Sequence, residues 1–134
     1  MESKKLIRVV AAEIESNGRF LITQRREHAL FPLYWEFPSG KVEPGESDQD
    51  ALIRELQERL DIEVQVGFCT MYVKHEYEEY TLDFYVYQCT LTPASIPRPI
   101  LVRDWKWVTT QEMEHYPFPP ADAYTIQKLL AKDS

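Results

Sequence analysis

Gly40 to Ile62 reads GKVEPGESDQDALIRELQERLDI, a turn followed by a capped helix with acids along one side. Pro44 and Gly45 mark the turn. Ser47 is a good N-cap, and Asp50 three residues on resembles the acidic arm of a capping box. Leu52, Leu56 and Leu60 recur every four residues, so one stripe of a predicted Ser47 to Leu60 helix faces a core. Glu55 and Glu58 are three apart and share a face near the edge of that stripe. Carboxylates fixed beside a turn of free backbone groups suit a hard divalent cation holding a diphosphate. The plainer reading is a solvated amphipathic helix with ordinary surface acids. Acid spacing alone favours that reading; the placing of Gly40, Glu46 and Arg54 around the acids favours the first.

Those placings resemble a known family. The Nudix box reads G-x5-E-x7-R-E-U-x-E-E-x-G-U, with U a bulky aliphatic. Gly40, Glu46, Arg54, Glu55, Leu56, Glu58 and Ile62 match it. Arg59 stands where the pattern has the second Glu of its last pair, and Asp61 where it has Gly. The likeness extends along most of the chain. LIRVVAAEIESNGRFLITQRR, from Leu6, is similar to the opening hairpin of MutT-type members. WEFPSGKVEPGES, from Trp35, is similar to their approach to the box, with Ser39 where Gly is common. YPFPPADAYTIQKLL, from Tyr116, resembles the last loop and helix of the MutT and CTP pyrophosphohydrolase branch.

The resemblance implies a Nudix α/β/α sandwich with a mixed sheet. It implies hydrolysis of a nucleoside diphosphate-linked substrate to the monophosphate and pyrophosphate. A (d)NTP is the expected substrate, with a cytidine nucleotide as one candidate. Mg²⁺ or Mn²⁺ is the implied cofactor. Glu58 falls on a metal-ligand position, and Glu55 on one that serves as ligand or general base. The Gly40 carbonyl is a further ligand in relatives, while Glu46 and Arg54 form a structural pair. Arg25 aligns with a phosphate-contacting arginine; otherwise it is a solvated charge at a strand end. Asp122 aligns with a base-reading position; otherwise it is a helix-end acid favoured by the dipole. Trp35, Phe37 and Phe118 are candidates for stacking or for the core.

Two departures deplete the implied metal site. Arg59 is either an i, i+4 surface partner of Glu55 or a fixed positive charge among the acids, repelling a cation and attracting phosphate. Another acid of MutT-type members lies six residues before the tryptophan matched by Trp107, and that position here is Leu101. Asp104, Glu76, Glu78 and Glu79 are the nearby acids that could substitute.

Composition sets the bounds. A chain of 134 residues is expected to be a single domain with one core. No apolar stretch approaches the roughly 20 residues of a membrane helix. MESKKLIRVV lacks a signal-peptide core, so a cytoplasmic location is expected. A formal charge of −7 argues against binding a nucleic-acid polymer, though not against a small nucleotide whose phosphates bound cations neutralise. Cys69 and Cys89 read as a buried reduced pair. His28, His75 and His115 show no metal-ligand spacing.

The order of predicted elements is α/β. Leu6 to Glu15 and Arg19 to Gln24 are strands around an Asn17-Gly18 turn. Glu27 to Trp35 is a loop, and Lys41-Val42 a short strand. Glu63 to Lys74 and Tyr80 to Leu91 form a long strand pair. Thr92 to Pro99 holds three prolines and is a loop. Leu101 to Val108 is a strand, Thr110 to His115 a short helix, and Ala121 to Ala131 a second amphipathic helix with Ile126, Leu129 and Leu130 on one face. Two alternatives to catalysis stay open. One is a nucleotide-binding protein of the same fold with little turnover. The other is an interaction module using its Tyr-rich hairpin, Tyr72 to Tyr87.

Overall fold

Asn17 and Gly18 take φ of 53° and 78°, the left-handed pair that a tight hairpin turn needs and that Asn-Gly adopts at low cost. They join β1 (Lys5–Ser16) to β2 (Arg19–Gln24). The computed structural model describes residues 5–29, 31–120 and 122. After β2 come β3 (Trp35–Glu36), β4 (Ser39–Lys41) and α1 (Asp48–Leu60). Then follow β5 (Val64–Glu76), β6 (Tyr80–Leu91), β7 (Asp104–Val108) and α2 (Thr110–Met113). The helix predicted for Ala121 to Ala131 lies outside the described residues, Asp122 apart.

β1 organises the sheet. It runs parallel to β6 from Lys5↔Tyr80 to Ile14↔Cys89 and antiparallel to β4 at Val9↔Lys41. Its last residues pair with β2, which also carries β3 and β7. The main path is β3-β2-β1-β6-β5, a mixed sheet. Alternation along β1 sorts its side chains between two cores. Val10, Ala12 and Ile14 face Ala51, Leu52, Leu56 and Leu60 of α1. Ala11 faces Phe37, Phe84, Val86 and Met113 on the other side.

α1 is fixed at both ends. The Ser47 side chain accepts the Asp50 N–H at 3.1 Å. Asp48 is bound by Arg8 of β1 through two hydrogen bonds of 2.9 and 2.8 Å and also accepts the Tyr87 hydroxyl of β6. At the other end Asp61 adopts φ 56°, the left-handed cap conformation that explains a preference for Gly there. The Arg59 and Leu60 carbonyls, left over at the helix end, accept N–H groups from Arg98, Ile100 and Leu101. This corrects one expectation: the Leu101 N–H serves the helix end and the Arg103 N–H meets the Gln24 carbonyl, and the regular strand begins only at Asp104. Cys69 is exposed rather than buried, because bulges interrupt β5 around it; Cys89 is buried, and both are free thiols.

Leu56, 1% exposed, is central to the α1 core. Leu56→Ala is expected to lower unfolding free energy by about 2–5 kcal/mol in a urea titration. A smaller loss would mean the two layers relax into the gap.

Candidate active site

Arg54 is the hub of the acidic edge. Its Nε and Nη2 donate to the two oxygens of Glu46 at 2.7 and 2.9 Å. Nη2 also reaches the Lys41 carbonyl of β4 at 3.2 Å. Nη1 donates to Glu55 Oε1 at 3.0 Å and lies 3.5 Å from Glu58 Oε2. Glu46 further accepts the Glu43 backbone N–H, closing the turn that enters α1. The Arg54 hydrogen bonds, then the Glu43 one, hold the Glu46 carboxyl down at about 2. Glu55 lies against β4 so closely that a Cβ at Gly40 would sit 2.2 Å from its Cγ, so glycine is required there. The second Glu55 oxygen accepts Arg59 Nε at 2.6 Å.

Beside this edge is a cavity of about 360 Å³, inside the range of small-molecule sites. Its floor is the Ile7 and Val9 face of β1 with Leu82 and Phe84 of β6, and Phe31, Tyr77 and Tyr80 form an aromatic wall. Arg25, Glu36, Arg59 and Asp122 line it, with Gly40 linking it to the acidic edge. Phe31 and Leu33 hold left-handed φ of 52° and 64°, so the loop after β2 is strained where it meets the cavity.

Two carboxyls are buried at this end. Asp122 is 4% exposed, and its Oδ1 has no hydrogen-bond partner among the described residues. Burial, and then the charge of Glu36, raise its proton affinity well above the usual aspartate value; the Phe37 backbone hydrogen bond and Arg25 act in the opposite sense. Glu36 is ion-paired to Arg25 at 2.7 Å; burial raises it too, and Arg25 and then Arg59 offset this. Burial thus favours the neutral form of both carboxyls, and the Arg25 ion pair favours the charged form of Glu36.

A NUDIX domain family model matches residues 9–128. The chain belongs to the Nudix family. It is 34% identical over 130 residues to CTP pyrophosphohydrolase of Escherichia coli K12, covering 95% of this chain and 93% of that one. It is likewise 34% identical over 130 residues to 8-oxo-dGTP diphosphatase of Haemophilus influenzae, with the same shares covered. The solution structure of the MutT protein of methicillin-resistant Staphylococcus aureus is 35% identical, with TM-score 0.78, covering 97% of this chain and 99% of that one. The protein is a Nudix-type pyrophosphohydrolase.

Nudix hydrolases use divalent metal ions. The donors here are hard oxygens of the type such cations take. Arg54 Nη1 within reach of both Glu55 and Glu58 marks a position where the two carboxylates converge on positive charge. The residues thus fit one cation in kind. Among the described residues, no group of three or more acids, histidines or cysteines gathers into a richer metal site. Leu101 lines the cavity, whereas Asp104, Glu76, Glu78 and Glu79 do not.

Other expectations sort as follows. Glu55 is buried and Glu58 exposed, although both belong to one helix edge. Arg25 and Asp122 come together through Glu36. Trp35 and Phe37 are core residues, and Phe118 packs against them. The cavity aromatics are Phe31, Tyr77 and Tyr80 instead. Sequence reasoning missed Glu36; its only signal was a lone acid between Trp35 and Phe37.

Glu46→Gln is expected to lower the melting temperature at neutral pH by freeing one side of Arg54. Because Glu46 sits at about 2, below its ordinary 4.5, its stabilisation is complete above pH 4.5 and fades below it. The variant should therefore lose less stability than the parent on acidification below pH 4.5. Parallel acid limbs in thermal melts would show that the pair is not stabilising.

Proposed function

We propose that this enzyme hydrolyses a cytidine nucleoside triphosphate to the monophosphate and pyrophosphate, using one divalent cation held by Glu55, Glu58 and the Gly40 carbonyl. The observation that carries the proposal is Asp122, buried and with one oxygen unpartnered among the described residues, in a cavity that adjoins the box acids. A protonated carboxyl offers one donor and one acceptor. Cytosine presents the complement, N3 as acceptor beside the N4 amine as donor. Uracil and guanine, each with a carbonyl beside an N–H, also offer one donor and one acceptor, so the choice of cytosine rests on the relative named CTP pyrophosphohydrolase as well as on Asp122.

With the base on Asp122, the phosphates extend past Gly40 to the edge of α1. When bound, the cation neutralises the diphosphate and polarises water. Water attacks one phosphorus of the α–β anhydride, and the bridging oxygen leaves with its phosphate. Glu55 or Glu58 takes the water proton. Arg54 positions Glu55 and holds the turn on the helix. Arg25 fixes Glu36 beside Asp122. The substrate is a free nucleotide rather than a nucleic-acid polymer or a membrane component, and two free thiols accord with a cytoplasmic location.

A second reading, nucleotide binding with little turnover, is favoured by one feature: both Glu55 oxygens already accept hydrogen bonds from arginines. Pyrophosphate release from CTP separates the two readings. The hydrolysis reading expects release that stops in excess chelator and falls about a hundredfold or more in Glu58→Gln. Thermal stabilisation by CTP without release would leave only the binding reading.

Asp122 gives a sharper test. Because its proton affinity is raised, it stays neutral up to an elevated pH and then ionises, losing the donor that cytosine N3 needs. KM for CTP should rise on the alkaline side. Asp122→Asn keeps one donor and one acceptor, so it should bind CTP at neutral pH and lose the alkaline rise. Asp122→Ala should raise KM for CTP by about tenfold, a loss of about 1.4 kcal/mol. An unchanged KM for CTP in Asp122→Ala would make Asp122 a helix-end acid alone.

A further inference from the structure

Arg59 occupies the penultimate position of α1, and its carbonyl accepts the Ile100 and Leu101 N–H groups, both at 3.1 Å. That docking fixes its backbone. Its side chain is 36% exposed and turns into the cavity beside Ser39, Gly40 and Leu101. Nε donates to Glu55 at 2.6 Å, while Nη1 and Nη2 make no hydrogen bond among the described residues. Its charge is also felt at Glu36, so it lies between the acidic edge and the buried carboxyls. The other arginines near the site are engaged differently. Arg54 holds Glu46 and Glu55, and Arg25 holds Glu36. Arg26 and Lys41 reach the cavity only from the exposed rim.

We propose that Arg59 is a diphosphate-binding residue, a built-in cation that grips the substrate's phosphates without any metal ion. The inference rests on reading the cavity as a nucleotide site and extends it to the phosphate end. A guanidinium presents a planar fork of N–H donors that matches two phosphate oxygens at once, and Nε can keep its bond to Glu55 meanwhile. The same residue adds a positive charge to the carboxylate edge and lessens its repulsion of an anion. Phosphate binding in this chain is therefore partly independent of the divalent cation.

The test is calorimetric titration of the full chain with inorganic pyrophosphate, in phosphate-free buffer with excess EDTA. Pyrophosphate lacks a base, so the result does not depend on Asp122. The parent protein should bind it; Arg59→Gln should weaken binding about tenfold or more, Arg59→Lys less, and Lys41→Gln little. Thermal melts confirm that each variant is folded; if Arg59→Gln is not, Arg59→Lys, which keeps charge and loses the fork, decides by whether it weakens binding at all. Glu55→Gln should tighten binding by removing a competing anion. Adding Arg59→Gln to it should reverse that gain. No pyrophosphate binding by the parent in EDTA overturns the proposal, as does equal binding by Arg59→Gln or a double variant that binds as well as Glu55→Gln. Comparing CMP binding by the parent and by Asp122→Ala in the same titration tests the base reading separately, so either idea can fail while the other stands.

Discussion

Arg54 is the interaction on which the site depends. One guanidinium spans the entry turn through Glu46, the strand β4 through the Lys41 carbonyl and the helix edge through Glu55. Without that charge three acids would crowd the start of the site and repel one another across it. With it, the turn, the strand and the helix become one rigid unit. Gly40 can then sit directly under Glu55, because no loop motion separates them. The α1 core supplies the other half of this rigidity, since Leu52, Leu56 and Leu60 seat the helix on β1.

The cavity has two electrostatic ends with different rules. At the acidic edge, charges are held ionised by close guanidinium partners, as the depressed Glu46 shows. At the buried end, desolvation dominates and pushes a carboxyl toward its neutral form. Leaving an acceptor unpartnered in such a place costs about 1–3 kcal/mol. A base edge that pairs with it recovers that cost on binding. Stability and the proposed recognition respond alike at Asp122: as pH rises from the ordinary aspartate range through its raised value, both weaken.

This chain departs from its family's acid-rich pattern by trading carboxylates for other groups. Arg59 brings a positive charge to the acidic edge, and Leu101 brings an apolar side chain to the cavity wall. Both follow from the same local structure, because the backbone of residues 98–101 is docked on the last carbonyls of α1. In the proposed reading this shifts the site from holding cations toward holding the anion itself. The cavity wall, by contrast, is largely aromatic and apolar, with Phe31, Tyr77 and Tyr80 on one side.

Much of this was legible from short-range pattern. The box helix, its cap at Ser47, the Asn17-Gly18 hairpin and the Glu46–Arg54 spacing are local, and local signals survive in a sequence. The family likeness placed Gly40, Glu55, Glu58, Arg25 and Asp122 in one region, but not their partners. The Glu36–Arg25–Asp122 grouping joins residues from β2, β3 and the chain's end, and no spacing announces it. Whether Arg59 was a surface partner or a cavity cation also lay beyond the sequence; the fold makes it both, since its Nε pairs with Glu55 while the guanidinium faces the cavity. The same holds for Leu101, whose strand-like neighbourhood yields to the unpaired Arg59 carbonyl at the end of α1. The sequence by itself determined the elements and the chemistry available, because periodicity and capping act over a few residues. Only the tertiary structure decided which carboxyl is held toward its charged form and which is pushed toward its neutral one, because desolvation and charge pairing depend on neighbours that are distant along the chain.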